Sequence, residues 1–298
     1  MALTFARNYA PIVYQEVILG AQTIPDMVSR LFNVQTTASK KNYRLGVGGT
    51  NIEVWDEYTL TGQTGHSDID RGYATTFECA PYTRRITLDK SDLKEPGGIN
   101  VYQTALREIG QSAMRKRQVD GAKIFINSFS ASYTGADGVS LCNGSHPQGP
   151  DDTGTTYDNT GTDALSYTAI LDARDNLRNL TDQQGGPLYV NGTYILAPIE
   201  LLRTLQEIIP PAQKPGTANN DSNAVQGFTY DVWDELTNAK DWWLIDPIRM
   251  RQHLLWFDRS PLTMMVVDEN TTDITYEFHM EYVNGWVDPR WLYGNDVA

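Results

Sequence analysis

The stretch from Ile274 to Tyr282 constrains this chain more than any other. Ile274, Tyr276, Phe278, Met280 and Tyr282 alternate with Thr275, Glu277, His279 and Glu281. Successive side chains of an extended strand point to opposite faces, so this period of two predicts a strand that is apolar on one face only. The rest of the C-terminal third is also strand-rich. Asp241–Asp246 (DWWLID) and Leu262–Val267 are short apolar runs, and Tyr194–Ala197 reads as a buried strand.

Helical spacing appears elsewhere, so both element types are present. Pro96-Gly97-Gly98 breaks the chain. Asn100 then stands as an N-cap with Gln103 three residues on, and Tyr102, Ala105, Leu106, Ile109 and Ala113 recur on one face. The helix is expected to end near Val119, interrupted by Asp120-Gly121, and Gly110 costs it ~1 kcal/mol that packing must offset. A second helix starts near Ser166, with Ile170, Ala173, Leu177 and Leu180 on one face. Pro198 opens a third through Leu201, Leu202, Leu205 and Ile208, stopped by Pro210-Pro211.

The N-terminal region differs. Residues 1–50 are mixed, with a short helix expected near Ile24–Val28, a basic segment at Lys40, Lys41 and Arg44, and a glycine-rich end at Gly46–Gly49. They read as an arm and not as core. Residues 52–61 alternate, a polar tip runs from Gly62 to Gly72, and Tyr73–Cys79 and Tyr82–Leu88 are strand-prone. This predicts one long hairpin with a wide tip. A two-stranded hairpin is marginal alone in water, so it must pack on something, and a neighbouring subunit is one candidate.

The chain has 298 residues, enough for one large domain or two modest ones, and a net charge of −13. That acidity repels phosphates and argues against a sequence-reading DNA or RNA binder, but not against a protein that sits beside nucleic acid without gripping it. The N-terminus lacks a basic segment followed by an apolar core, and the apolar runs fall far short of the ~20 residues of a membrane helix. The expectation is a soluble protein made in the cytoplasm, with no glycan on the sequons at Asn143, Asn179, Asn191 and Asn270. Cys79 and Cys142 are too few for a disulfide scaffold.

No phosphate-cradling loop, nucleophile elbow or His-Glu-x-x-His helix occurs. Cys142 and His146 are metal-ligand types four residues apart, but a structural zinc site needs four ligands. Cys142 reads as a small buried residue and His146 as a turn residue before Pro147. His66, Asp68 and Asp70 read as a solvated hairpin tip, and Glu277, His279 and Glu281 as the satisfied polar face of a strand. Asp231, Asp234 and Glu235 are carboxylates near Trp233 for which sequence shows no cleft. Arg115, Lys116 and Arg117 read as a solvated helix end. No catalytic, cofactor-binding or metal site is therefore expected. The 16 Tyr, 7 Trp and 8 Phe, many in extended or loop segments, point instead to assembly.

The order of segments (arm, extended hairpin, long helix, mixed lobe, late long strand) resembles the major capsid protein of tailed bacteriophages, of the Hong Kong 97 type. Asp137-Gly138-Val139-Ser140-Leu141-Cys142-Asn143-Gly144-Ser145-His146-Pro147 is similar to the "DG…L…SHP" segment of Mu-like major head subunits. The resemblance implies an α+β fold with an N-terminal arm at 1–50, an extended loop at 51–95, and a peripheral lobe with the spine helix at 96–159. An axial lobe follows at 160–250, and 251–298 returns to the peripheral lobe and the C-terminal end. It implies a structural subunit that forms pentamers and hexamers in an icosahedral shell around double-stranded DNA. The subunit would enclose that DNA without specific binding, with no membrane contact, in a virion assembled in the host bacterial cytoplasm. Because the chain starts directly at the arm, the resemblance implies a separate scaffolding protein or a chain that begins after a cleavage, together with a portal and decoration proteins. Arg71, Tyr73, Phe77, Tyr82, Arg84 and Arg85 on the hairpin are the expected subunit contacts. Another phage virion structural protein, and a carbohydrate-active enzyme with a Trp-lined cleft and paired carboxylates, remain as alternatives.

Overall fold

The computed structural model describes residues 3–39, 41–45, 72–150, 154–182, 185–213 and 221–298. In chain order, α1 (Leu3–Ala21), α2 (Met27–Leu31), β1 (Asn33–Thr36) and β2 (Lys41–Leu45) come first. Then follow β3 (Ala74–Glu78), β4 (Ala80–Asp89), α3 (Lys90–Lys94) and the long α4 (Ile99–Ile126). The middle holds β5 (His146–Pro147), β6 (Thr156–Tyr157), β7 (Thr160–Gly161), α5 (Tyr167–Arg178), β8 (Tyr194–Ala197), α6 (Leu202–Ile208) and β9 (Thr229–Val232). Last come β10 (Trp242–Ile245), α7 (Pro247–His253), β11 (Leu254–Glu269), β12 (Asp273–Trp286) and β13 (Leu292–Asn295). The chain divides into two compact units. One draws on Met1–Asn42, Phe77–Gly121 and Trp256–Asn284; the other on Tyr43–Thr76, Ala122–Leu255 and Gly285–Ala298.

In the first unit the alternating strand does what its pattern requires. β12 lies inside a sheet of order β1-β11-β12-β4, with Ile274, Tyr276, Phe278, Met280 and Tyr282 all buried. The layer that covers this face comes from an unexpected place. Residues read from sequence as an arm form α1, and Ala6, Val13 and Val17 are fully buried in one core with Leu88, Leu106, Ile274, Tyr276 and Phe278. The Tyr276 hydroxyl donates to the Ala6 carbonyl (2.9 Å) and the Tyr9 hydroxyl to the Leu93 carbonyl (2.6 Å). Pro11 inside α1 obscures its period in the sequence.

α1 crosses α4 where both helices carry glycine. A Cβ at Gly110 would lie 2.7 Å from the Ala21 nitrogen, and one at Gly20 would lie 2.6 Å from the Arg107 Cα. The packing that offsets Gly110 is therefore backbone-to-backbone approach. α4 also passes through Asp120-Gly121 instead of stopping there. Asp120 is satisfied in place: its carboxylate accepts from the Tyr282 hydroxyl (2.8 Å) and Lys116 Nζ (2.6 Å), and its carbonyl from Asn284 Nδ2 (2.9 Å). Tertiary contacts outweigh the propensity penalty of ~1 kcal/mol for one mid-helix glycine.

The second unit is built on the sheet β7-β13-β10-β8-β9. Tyr194–Ala197 and Trp242–Ile245 are two of its buried inner strands, paired antiparallel with Leu244 opposite Ile195. α5 packs Ala169, Ile170, Ala173 and Leu177 into the same core, and the Ser166 side chain caps it through Ala169 N (3.2 Å), as the sequence predicts. Residues 122–126 of α4 supply Phe125, whose ring meets Trp233, Trp243 and Trp291 at 5.5–6.3 Å.

The 137–147 segment belongs to this unit. Cys142 is buried, and a Cβ at Gly294 would sit 2.5 Å from its sulfur. His146 is not an open turn residue. It is fully buried, stacked on Tyr157, with Nδ1 2.7 Å from Asp137 Oδ2 and Nε2 3.1 Å from Asn159 Oδ1. Asn159 itself donates to the Leu141 carbonyl (2.9 Å) and accepts from Asn143 N (2.8 Å). The motif residues thus close a buried polar network that holds this loop together.

Candidate assembly surface

The hairpin residues expected to meet a neighbour separate once the sheet register is fixed. β4 pairs antiparallel with β12, placing Tyr82 opposite Met280, Arg84 opposite Phe278 and Arg85 opposite Glu277. Side chains two apart share a face, so Tyr82 and Arg84 lie on the α4 side and Arg85 on the other. Arg85 Nε bonds Glu277 Oε2 there at 2.5 Å.

On the α4 side lies a groove of about 520 Å³. Tyr82 and Arg84 form one wall, Ile109, Ala113 and Lys116 of α4 the other, and Phe278 and Met280 the floor. Tyr82 is held by stacking on Tyr282 (centroids 4.6 Å apart), and Lys116 Nζ lies 4.8 Å over its ring. Arg84 is exposed and makes no hydrogen bond or ion pair with the described residues. The groove therefore combines an apolar floor with one uncommitted cation at its rim, a composition suited to an apolar segment with an acidic residue.

The other expected contacts lie elsewhere. Phe77 is 3% exposed and packs on Phe257 (5.3 Å), so its ring works inside the fold. Tyr73 lines a small cleft with Asp137, Pro147 and Arg290 in the second unit. Arg71 lies outside the described residues, as do residues 52–61 of the expected hairpin and the His66–Asp70 tip. β3 instead pairs with β2, a strand the sequence reading assigned to the basic arm.

Two further readings change. The basic run is mid-helix, not a solvated end. Arg117 makes bonds of 2.8 and 3.1 Å to Asp258 and lies 4.9 Å over Trp256, and Lys116 is the groove wall described above. Sequence reasoning missed the α4 half of the groove for this reason; the signal available was Lys116 falling at helical spacing from Ile109, Ser112 and Ala113. Nor is the polar face of β12 uniformly at the surface. Glu281 is 6% exposed and takes Arg259 Nη1 at 2.6 and 2.7 Å. Burial, then the bond to Asp120, pushes the nearby Tyr282 hydroxyl well above the usual phenol range.

The Trp-lined cleft required by a carbohydrate-active enzyme has no material among the described residues. Trp233, Trp242, Trp243, Trp256, Trp286 and Trp291 are all buried. Asp231, on the edge strand β9, accepts from the Tyr194 hydroxyl (2.9 Å). No helix among the described residues is long and apolar enough to cross a membrane.

A family model described as phage capsid protein matches residues 80–295. No curated protein matches. Among solved structures, the chain is similar to the procapsid of bacteriophage JBD30, with 11% identity over 100% of this chain and 77% of that one, at a TM-score of 0.52. It is similar to the capsid of cyanophage P-SCSP1u, with 12% identity over 91% and 88% of the two chains, TM-score 0.58. It is also similar to a virus-like particle from Pyrococcus furiosus, with 7% identity over 97% and 99%, TM-score 0.55. At such identities the likeness is one of fold.

Proposed function

The chain belongs to the phage capsid protein family, and from that premise we propose how it works: as the major head subunit whose copies build the shell around phage DNA. The family match across most of the chain carries this reading. The fold is of the Hong Kong 97 type and similar to that of Mu-like head subunits, a reading supported by the segment order and the 137–147 segment. Residues 1–50 act as an arm whose α1 packs into the first unit's core, 51–95 as the extended loop, 96–159 with 251–298 as the peripheral lobe and 160–250 as the axial lobe, with 122–159 and 285–298 of the expected peripheral lobe folding together with 160–250.

Copies associate as pentamers and hexamers, and such rings use heterologous contacts in which one surface meets a different surface of the next copy. The groove at Tyr82, Arg84 and Lys116 is one half of such a contact. Arg85, tied to Glu277 on the opposite face, orders β4 from behind. A net charge of −13 lets the shell enclose DNA without gripping it. The role is structural and not enzymatic. Assembly takes place in the host cytoplasm with a separate scaffolding protein, and portal and decoration proteins complete the particle.

Negative-stain electron microscopy of the purified chain, with size exclusion on the same sample and with its scaffold co-expressed, tests this. Rings, tubes or shells are expected. A monomer at every concentration, scaffold included, overturns the proposal. Within an assembling protein, Arg84→Glu is expected to reduce particle yield, while an unchanged yield removes the groove from the contact.

A further inference from the structure

Tyr189 is the one non-glycine residue among the described residues with positive φ, at 55°. An L side chain there crowds its own carbonyl, and such a residue persists only where its surroundings hold it. They do so here. Val190 is fully buried in the second unit's core. The Leu188 carbonyl accepts from Arg249 Nη2 (2.5 Å), and Asn191 N donates to Asp246 Oδ2 (2.8 Å). The other Asp246 oxygen caps α7 through Ile248 N (2.9 Å) and Arg249 N (3.2 Å). The chain on both sides of Tyr189 is thus tied to the first turn of α7.

This frame turns the ring outward. Tyr189 is 75% exposed and makes no hydrogen bond or ring contact with the described residues. The α7 turn bound to it presents Ile248, which is 74% exposed. A loop under no other demand would place glycine or asparagine at positive φ and a polar side chain in water. The exposed apolar surface is buried when another molecule covers the pair, and a Tyr held rigidly by its backbone is a favoured anchor for such a contact.

We propose that Tyr189 and Ile248 form a preset anchor that an adjoining copy of this chain covers in the assembled shell, an inference that rests on the capsid reading above. Charge selects the occupant. α7 carries Arg249 and Arg251 beside Ile248, whereas the chain as a whole has 37 acidic against 24 basic residues. A basic-flanked apolar anchor is complementary to the predominantly acidic surface of a second copy.

The test compares the full-length parent chain with Tyr189→Gly, Tyr189→Phe and Ile248→Ser. Glycine relieves the strain, so Tyr189→Gly is expected to raise the thermal midpoint of unassembled protein by roughly 2–4 °C. It should also cut the assembled fraction, read by sedimentation and microscopy, about tenfold, a typical loss for one anchor side chain. Tyr189→Phe keeps ring and backbone and should assemble as the parent does; Ile248→Ser should assemble poorly with an unchanged midpoint. Hydroxyl-radical oxidation of Tyr189 should fall on assembly. Parent-like assembly by Tyr189→Gly, or equal oxidation of Tyr189 in particles and free subunits, overturns the anchor and leaves the capsid reading intact. A parent that never assembles overturns both.

Discussion

Replacing Gly110 by alanine reverses the sign of the usual helix effect. In an exposed helix this substitution stabilises by ~1 kcal/mol. At Gly110 the new Cβ would overlap the Val17 carbonyl and lie 2.7 Å from the Ala21 nitrogen, inside the 3.0 Å that real Cβ atoms essentially never breach. Both obstructions are backbone, so no side chain can swing aside. α1 cannot retreat cheaply, because Val13 and Val17 are fully buried and Tyr276 and Tyr9 anchor its N-terminal half. Overpacking of this kind costs about 1–3 kcal/mol, and backbone obstruction puts it at the upper end. Subtracting the propensity gain leaves a net loss of about 2 kcal/mol. Thermal and urea midpoints followed by circular dichroism read this as a fall of several degrees for Gly110→Ala. Gly154, where a Cβ meets nothing within 4 Å among the described residues, is the control and should be neutral or slightly stabilised by alanine. A Gly110→Ala chain as stable as the parent would refute the close-crossing argument.

Three other perturbations follow from the same structure. Asp258→Asn removes the counter-charge from Arg117, and both side chains are mostly buried; a loss of about 3–5 kcal/mol in urea unfolding is expected, part of which Arg117→Met in the same chain should restore. His253 is buried, and burial holds its imidazole below the usual range while Asp288 pulls it up and Arg249 and Arg290 pull it down. The unfolded chain therefore takes up a proton below pH ~6.5 that the folded chain resists, so stability is full above that pH and declines on acidification by at most ~1.4 kcal/mol per pH unit. His253→Gln should flatten the decline in melting temperature between about pH 6.5 and 5. Burial also raises the thiol pKa of both Cys79 and Cys142, so Ellman's reagent should label neither in the folded chain and both in denaturant. Rapid labelling of native Cys142 would contradict its packing against Gly294.

Elements whose signal is local are legible in the residues alone. Alternation marked β12, Ser166 marked the start of α5, and uninterrupted apolar runs marked β8 and β10. The sequence also singled out Tyr82 and Arg84, two of the residues that wall the groove. What it left undecided depends on partners far along the chain. The core role of α1 rests on strand residues such as Tyr276, which reaches Ala6. The continuation of α4 past Gly121 rests on Tyr282 and Asn284 satisfying Asp120. Arg84 and Arg85 are neighbours in sequence, yet the β4–β12 register places one in the groove and the other on Glu277. His146 looked like a turn residue until Asp137 and Asn159 enclosed it. Periodicity records which face of an element is apolar; which other element covers that face, and which polar group is thereby buried and must find a partner, is settled only by tertiary packing.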